Sequence, residues 1–141
     1  QFVEHHAQLA AILSEHANED ALLMEHIDGQ LVKFYGVVGT NFFHAEPHTP
    51  KGFSKFGHEQ HNHHKDLAVS SQMWKQTFHA MYTAATQVAQ QSGFSIYGGD
   101  AILREDGTFV FIDFNDLPSF SACLPKASEA IVQHCLSLLT K

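Results

Sequence analysis

Apolar residues recur at helical spacing over 2–17, where Leu9, Ile12, Leu13 and His16 share one side. This predicts an amphipathic helix, ended by Asn18-Glu19-Asp20. The rhythm then shortens. Residues 21–27 and 31–38 are short apolar segments parted by Asp28-Gly29, a dipeptide favoured in hairpin turns, and a third strand is expected over 41–44. Between 45 and 65 the pattern dissolves into prolines, glycines, amides and imidazoles, which predicts a long mobile loop. From 66 to 91 helical spacing returns. Trp74, Phe78, Met81, Tyr82, Ala85, Val88 and Ala89 form one stripe, with Gly93 placed to stop the helix. Two strands, 96–104 and 109–114, flank Glu105-Asp106-Gly107-Thr108. A last helix over 126–139 carries Ala127, Ile131, Cys135 and Leu138 on one face. The order helix, hairpin, loop, helix, hairpin, helix predicts an α+β fold, an antiparallel sheet with helices packed on one face.

Composition supports a folded unit. The 141 residues suffice for one domain spanning 1–141, and 44% apolar content with twelve Phe lies far above that of disordered chains. Net charge is −7 and the eight Lys and Arg are scattered, so no nucleic-acid partner is expected. No apolar run is long enough to cross a bilayer, so no membrane partner is expected either. No charged-then-apolar leader opens the chain, and Cys123 and Cys135 are not spaced for a disulfide. A cytoplasmic setting is the default. The chain opens on Gln1 rather than Met, which raises the expectation of a fragment of a longer protein.

The second hairpin carries the chemistry. With an even-numbered turn centred on Asp106-Gly107, Arg104 would face Phe109, Ile102 would face Phe111, and Asp100 would face Asp113. Asn115, two residues on, would share the face of Asp113. Carboxylates opposed on neighbouring strands repel, and a hard divalent cation such as Mg²⁺ is suited to neutralise them. Such a carboxylate–carboxylate–amide set beside phosphates can serve phosphoryl transfer. The competing reading makes Asp100 and Asn115 ordinary strand-end residues and pairs Asp113 with Arg104. A one-residue register slip would instead put Asp100 and Asp113 on opposite faces.

The stretch IYGGDAILREDGTFVFIDFNDLPSF, residues 96–120, resembles the closing motif of ATP-grasp proteins, most closely their inositol-phosphate-kinase and peptide-ligase branches. The segment ALLMEHIDGQLVKFYGVVG, residues 21–39, is similar to that family's hinge strand and the strand after it. The resemblance implies the C-terminal part of an ATP-grasp fold, with Asp100, Asp113 and Asn115 ligating Mg²⁺, for which Mn²⁺ would substitute. It implies that Glu25, His26 and Ile27 line the adenine site. Lys33 would reach phosphate or an anionic substrate as both a cofactor-binding and a catalytic residue, although by itself it is an ordinary solvated lysine. The implied activity is an ATP-dependent carboxylate–amine ligation through an acyl phosphate, on a small-molecule or peptide-like substrate. A small-molecule kinase of the inositol-phosphate-kinase type is the alternative. Asp113 stands where many ligases have Glu, and Leu117-Pro118-Ser119 stands where many have Pro-Gly, so the acceptor stays open. With the family's other nucleotide-binding half missing, the chain alone is expected to bind ATP weakly, to be inactive, and to be open to homodimer formation through exposed apolar surface.

Twelve histidines raise a different prospect. His58, His61, His63 and His64 lie within HEQHNHH, and imidazoles ligate Zn²⁺, Ni²⁺ or Cu²⁺. A non-catalytic metal-binding module is therefore a further alternative, against which a Pro- and Gly-bearing loop is a poor scaffold. His5, His6 and His16 are expected on an exposed helix face. Ser119 and Ser121 lack His–Asp partners at triad spacing, and Gly98-Gly99 is too short for a phosphate loop. That glycine pair instead marks a close approach of a neighbour to the strand.

Overall fold

The computed structural model describes residues 3–48 and 70–140. Its elements in chain order are α1 (His6–Glu15), β1 (Gln30–Val37), β2 (Phe43–Pro47), α2 (Ser71–Ser92), β3 (Ile96–Leu103), β4 (Phe109–Asn115) and α3 (Leu124–Leu139). The four strands form one antiparallel sheet in the order β2-β1-β3-β4. The fold is therefore α+β.

Helix α2 forms because its apolar residues fall on one stripe and both ends are capped. Ser70 Oγ accepts from the Met73 amide at the start, and Gly93 closes the end in the left-handed region at φ 75°. Met81, Ala85 and Ala89 bury that stripe against Val32, Phe34, Tyr97, Ala101 and Leu103 of the sheet. Two hydroxyls fix the docking. Thr77 donates to the Gly107 carbonyl at 2.9 Å, and Thr86 shares a 2.9 Å hydrogen bond with Tyr97.

Several expectations are corrected. Residues 21–27 do not form a strand, and no hairpin turns at Asp28-Gly29. The segment is rich in Ala, Leu, Met and Glu, lacks strand-favouring residues until Ile27, and leaves Leu22 86% and Leu23 69% exposed. The first hairpin instead joins β1 to β2, which runs on to Pro47. Helices also occupy both faces of the sheet rather than one. Strand alternation turns Tyr35 away from the Phe34 side, and there Tyr35 packs with Cys123 and Ala127 at the start of α3. Within α3 the buried residues are Ala127, as expected, and Ala130, which lay outside the predicted stripe, whereas Cys135 and Leu138 are exposed. Helix α1 forms as expected but buries no residue. Both cysteines are free.

The β3–β4 hairpin departs from the simplest geometry in two places. Its loop has three residues, not two or four. The Gly107 amide donates to the Arg104 carbonyl, the Arg104 amide donates to Thr108, and Gly107 takes φ 82°. This is a type I turn followed by a left-handed glycine. An odd loop moves the register by one, so Leu103 faces Phe109, Ile102 faces Val110 and Ala101 faces Phe111. The expected pairs Arg104–Phe109 and Ile102–Phe111 do not form. A β-bulge at Ile112 then shifts the register back, and Asp100 faces Asp113. Two departures of opposite sense cancel at the position that matters.

Candidate functional site

The bulge decides which way Asp113 points. Strict alternation from Phe109 and Phe111 would send Asp113 into the α2-packed core and Phe114 outward. With Ile112 inserted as an extra residue, Phe111 and Phe114 both meet Phe34, at ring separations of 4.8 and 5.4 Å. Asp113 is left on the face away from α2, itself exposed, with its neighbour Asn115 donating Nδ2–H to Asp113 Oδ2 at 3.0 Å. That bond orients the Asn115 amide and leaves its carbonyl oxygen available as an acceptor.

Register then assembles a row across all four strands. Glu46 on β2 faces Lys33 on β1, Lys33 faces Asp100 on β3, and Asp100 faces Asp113 on β4. The next row on the same face is His44, Tyr35, Gly98 and Asn115. Directly opposed side chains on adjacent strands lie about 4.5–5.5 Å apart at Cβ. Asp100, Asp113 and Asn115 are thus brought together on one face. Among the described residues Asp113 makes no ion pair with Arg104, so the competing pairing is not the one the fold uses.

Lys33 is drawn into this row. Its Nζ donates to Asp100 Oδ1 at 3.1 Å, with both side chains about one-third exposed (34% and 28%). The ammonium offsets one of three carboxylates, leaving the row formally at −2. Oxygen donors on an excess-negative, partly exposed surface suit a hard cation such as Mg²⁺. Among the described residues no three His, Cys, Asp or Glu side chains gather as a metal cluster, so a cation here would draw its third protein oxygen from the Asn115 amide.

Beyond Asn115 the chain folds back over the same face. Pro118 lies against Gly98, where an added Cβ would stand 2.7 Å from the proline ring and 2.8 Å from the Phe34 carbonyl. The close approach expected at Gly98-Gly99 is made at Gly98 by this returning segment and the Phe34 carbonyl, and at Gly99 by the Asp113 backbone of β4. Phe120 continues it, 5.6 Å from Tyr35 and 6.5 Å from Phe42. Burial pushes the Tyr35 hydroxyl up to about 12, with Cys123, Glu46 and Asp100 adding negative charge nearby. Burial, and then Glu46, raise the Cys123 thiol as well.

The residues assigned to adenine lie ahead of β1, beside the β3–β4 hairpin tip. Glu25, His26 and Ile27 join Asp28 and the hairpin tip, Arg104, Glu105 and Asp106, around an open depression of about 430 Å³. Arg104 stands four positions from Asp100 along the chain, about 13 Å at strand rise. The depression and the acidic row are thus separate places. Glu25, His26 and Ile27 carry no strand backbone, contrary to the hinge-strand expectation.

Residues missed by sequence reasoning are Glu46 and His44, paired at 3.2 Å between His44 Nε2 and Glu46 Oε2. Their signal was the alternation His44-Ala45-Glu46, hidden because 45–65 reads as loop. His58, His61, His63 and His64 lie outside the described residues. Among the described residues no helix is long and apolar enough to cross a membrane. The chain matches no protein-family profile, no curated protein sequence and no solved structure.

Proposed function

We propose that this chain is the cation- and nucleotide-binding part of an ATP-grasp enzyme, with Asp100, Asp113 and Asn115 as the Mg²⁺ ligands. The observation that carries the reading is the bulge at Ile112, which turns Asp113 out of the core and sets it opposite Asp100. Opposed carboxylates cost stability unless a cation relieves them, and Lys33 relieves only one. Asp100, Asp113 and Asn115 would hold a divalent ion, which would offset the remaining charge and supply electrostatic stabilisation to the phosphates of ATP. The depression beside Glu25, His26 and Ile27 would take the base, and Lys33 would move toward the phosphates. In the parent enzyme the activated group would be a carboxylate, giving an acyl phosphate and then an amide. Transfer to a hydroxyl, as in a kinase, is the second outcome the same site serves.

The test is a titration of ¹⁵N-labelled protein with Mn²⁺, with and without ADP. Broadening centred on Asp100 and on Asp113 to Asn115, strengthened by ADP and lost in Asp113→Asn, is the expected result. Broadening indifferent to ADP and unaffected by Asp113→Asn would overturn the assignment, and broadening confined to His58–His64 would favour the metal-binding module.

A further inference from the structure

Gly99 lies in the middle of β3, in register with Phe34 on β1 and Phe114 on β4. Glycine weakens a strand interior, and its presence there marks either an unusual backbone angle or a close neighbour. The angle is not the reason, since the described glycines with positive φ are Gly29, Gly39, Gly93 and Gly107. The neighbour is β4. A Cβ built on Gly99 would overlap the Asp113 carbonyl oxygen, and would stand 2.8 Å from the carbonyl carbon and 3.1 Å from Phe114 Cα. All three are backbone atoms, so no change of rotamer makes room. Nearer the hairpin tip, Ala101, Ile102 and Leu103 face Phe111, Val110 and Phe109 with their side chains in place. The obstruction lies on the far side of the register shift at Ile112.

We propose that Gly99 is the positioning residue for Asp113: its missing side chain lets the bulged strand settle against β3, and that contact holds the Asp113 carboxylate opposite Asp100. The inference rests on the cation reading above and names what sets the separation of its two carboxylates. The aromatic packing points the same way. Neighbouring strands lie about 4.8 Å apart, so Phe34 and Phe114, two strands from each other, start about 9.6 Å apart. Their rings nevertheless approach to 5.4 Å, across a residue that has no side chain to part them. Phe114 also stacks on Tyr97, at 5.7 Å and 10°. These rings pin Phe114, and the peptide joining it to Asp113 is the one that rests on Gly99. A side chain at position 99 would lift that peptide and carry Asp113 away. Asp100 would stay, because it belongs to β3 and is tied to Lys33 on β1. Mg²⁺ takes its oxygens at about 2.0–2.1 Å in near-ideal octahedral geometry, and a ligand set works only when held to within about 0.5 Å. Lifting one of two carboxylates is therefore read first as lost cation affinity.

The experiment titrates Mn²⁺ with ADP into four labelled whole chains: wild type, Gly99→Ala, the Ile112 deletion, and the two changes combined. Broadening at Asp100 and at Asp113 to Asn115 reports the cation, and the Met81 and Ala85 amides of α2 report the fold. Gly99→Ala should raise the Mn²⁺ concentration at half-broadening about five-fold with the α2 amides in place. Without Ile112 the ladder is regular and a Cβ at position 99 meets no carbonyl, so adding Gly99→Ala to the deletion should change that concentration by less than about two-fold. This rescue is what a general packing role would not produce. Gly99→Ala binding Mn²⁺ as wild type does overturns the proposal, as does an equal loss with and without Ile112. Should Gly99→Ala alone fail to fold, recovery of both fold and broadening in the combined variant supports the proposal, and no recovery overturns it. The two readings fail separately. A wild type silent at Asp100 and Asp113 removes the cation reading and the role of Gly99 with it. A wild-type response that Gly99→Ala leaves unchanged removes only the role of Gly99.

Discussion

Replacing Lys33 with Met should tighten, not weaken, the binding of Mn²⁺ to the nucleotide-free protein. In the structure the ammonium occupies one oxygen of Asp100 at 3.1 Å, so a divalent ion arriving at the Asp100–Asp113 pair must displace it. Two unit charges about 4 Å apart attract by about 4 kcal/mol at the effective dielectric of a protein surface. Both side chains are about one-third exposed, 34% and 28%, and solvent screening reduces the net worth of such a pair to about 1 kcal/mol. A cation that no longer has to break the pair gains that amount, or about five-fold in affinity. Lys33→Arg, which keeps the charge, should change little. Adding ADP reverses the sign: with phosphates present, Lys33→Met removes a favourable contact, and ADP affinity should fall. Calorimetric titration with Mn²⁺, repeated with ADP, reads both. Weaker Mn²⁺ binding by Lys33→Met without nucleotide would refute the idea that Lys33 holds the place of the metal.

Three further outcomes are expected. Deleting Ile112 should remove the bulge yet leave Asp113 opposite Asp100 and Phe114 on the Phe34 side, so ADP-dependent Mn²⁺ broadening should survive the deletion; its loss would show that the register does not place Asp113 as described. Phe34→Ala, at a fully buried ring touching Phe43, Phe111 and Phe114, should cost about 3–5 kcal/mol by urea titration. The folded state holds the Tyr35 proton up to about 12 against the ordinary 10.0, so its contribution is complete below pH 10 and is lost as pH climbs toward 12. Wild type should therefore lose stability relative to Tyr35→Phe as pH rises above 10, and parallel curves would show that Tyr35 does not carry the effect.

Much of the fold was legible because period and capping agree. Ser70 and Gly93 bracket a stripe that Met81, Ala85 and Ala89 bury, and no tertiary detail was needed to see it. The segment 21–27 misled because apolar content without alternation does not identify a strand, and here Leu22 and Leu23 stay in solvent. The placement of α3 on the second face was not legible, since its inner line is made of small residues, Ala127 and Ala130, that carry little hydrophobic signal. At the candidate site, Asp100 opposite Asp113 was found by an argument that assumed an even loop and a regular ladder, and both assumptions fail. A three-residue loop and a one-residue bulge compensate, and Phe111 with Phe114, three apart yet both touching Phe34, is the trace of the bulge that the sequence does carry. The Lys33–Asp100 pair spans sixty-seven residues and depends on β1 lying beside β3, which local pattern does not reveal.

The bulge also bears on how the protein behaves in a crowded solution. Strand β4 is an outer strand of the sheet, and an outer strand with regularly spaced amides and carbonyls is a template on which another chain can add. Ile112 breaks that spacing midway along a seven-residue strand, next to an exposed carboxylate. The opposite border, β2, ends in Pro47, which has no amide hydrogen to offer. The irregularity that turns Asp113 onto the Asp100 side thus also denies a foreign strand a continuous ladder, and a variant that regularised β4 by deleting Ile112 should aggregate more readily.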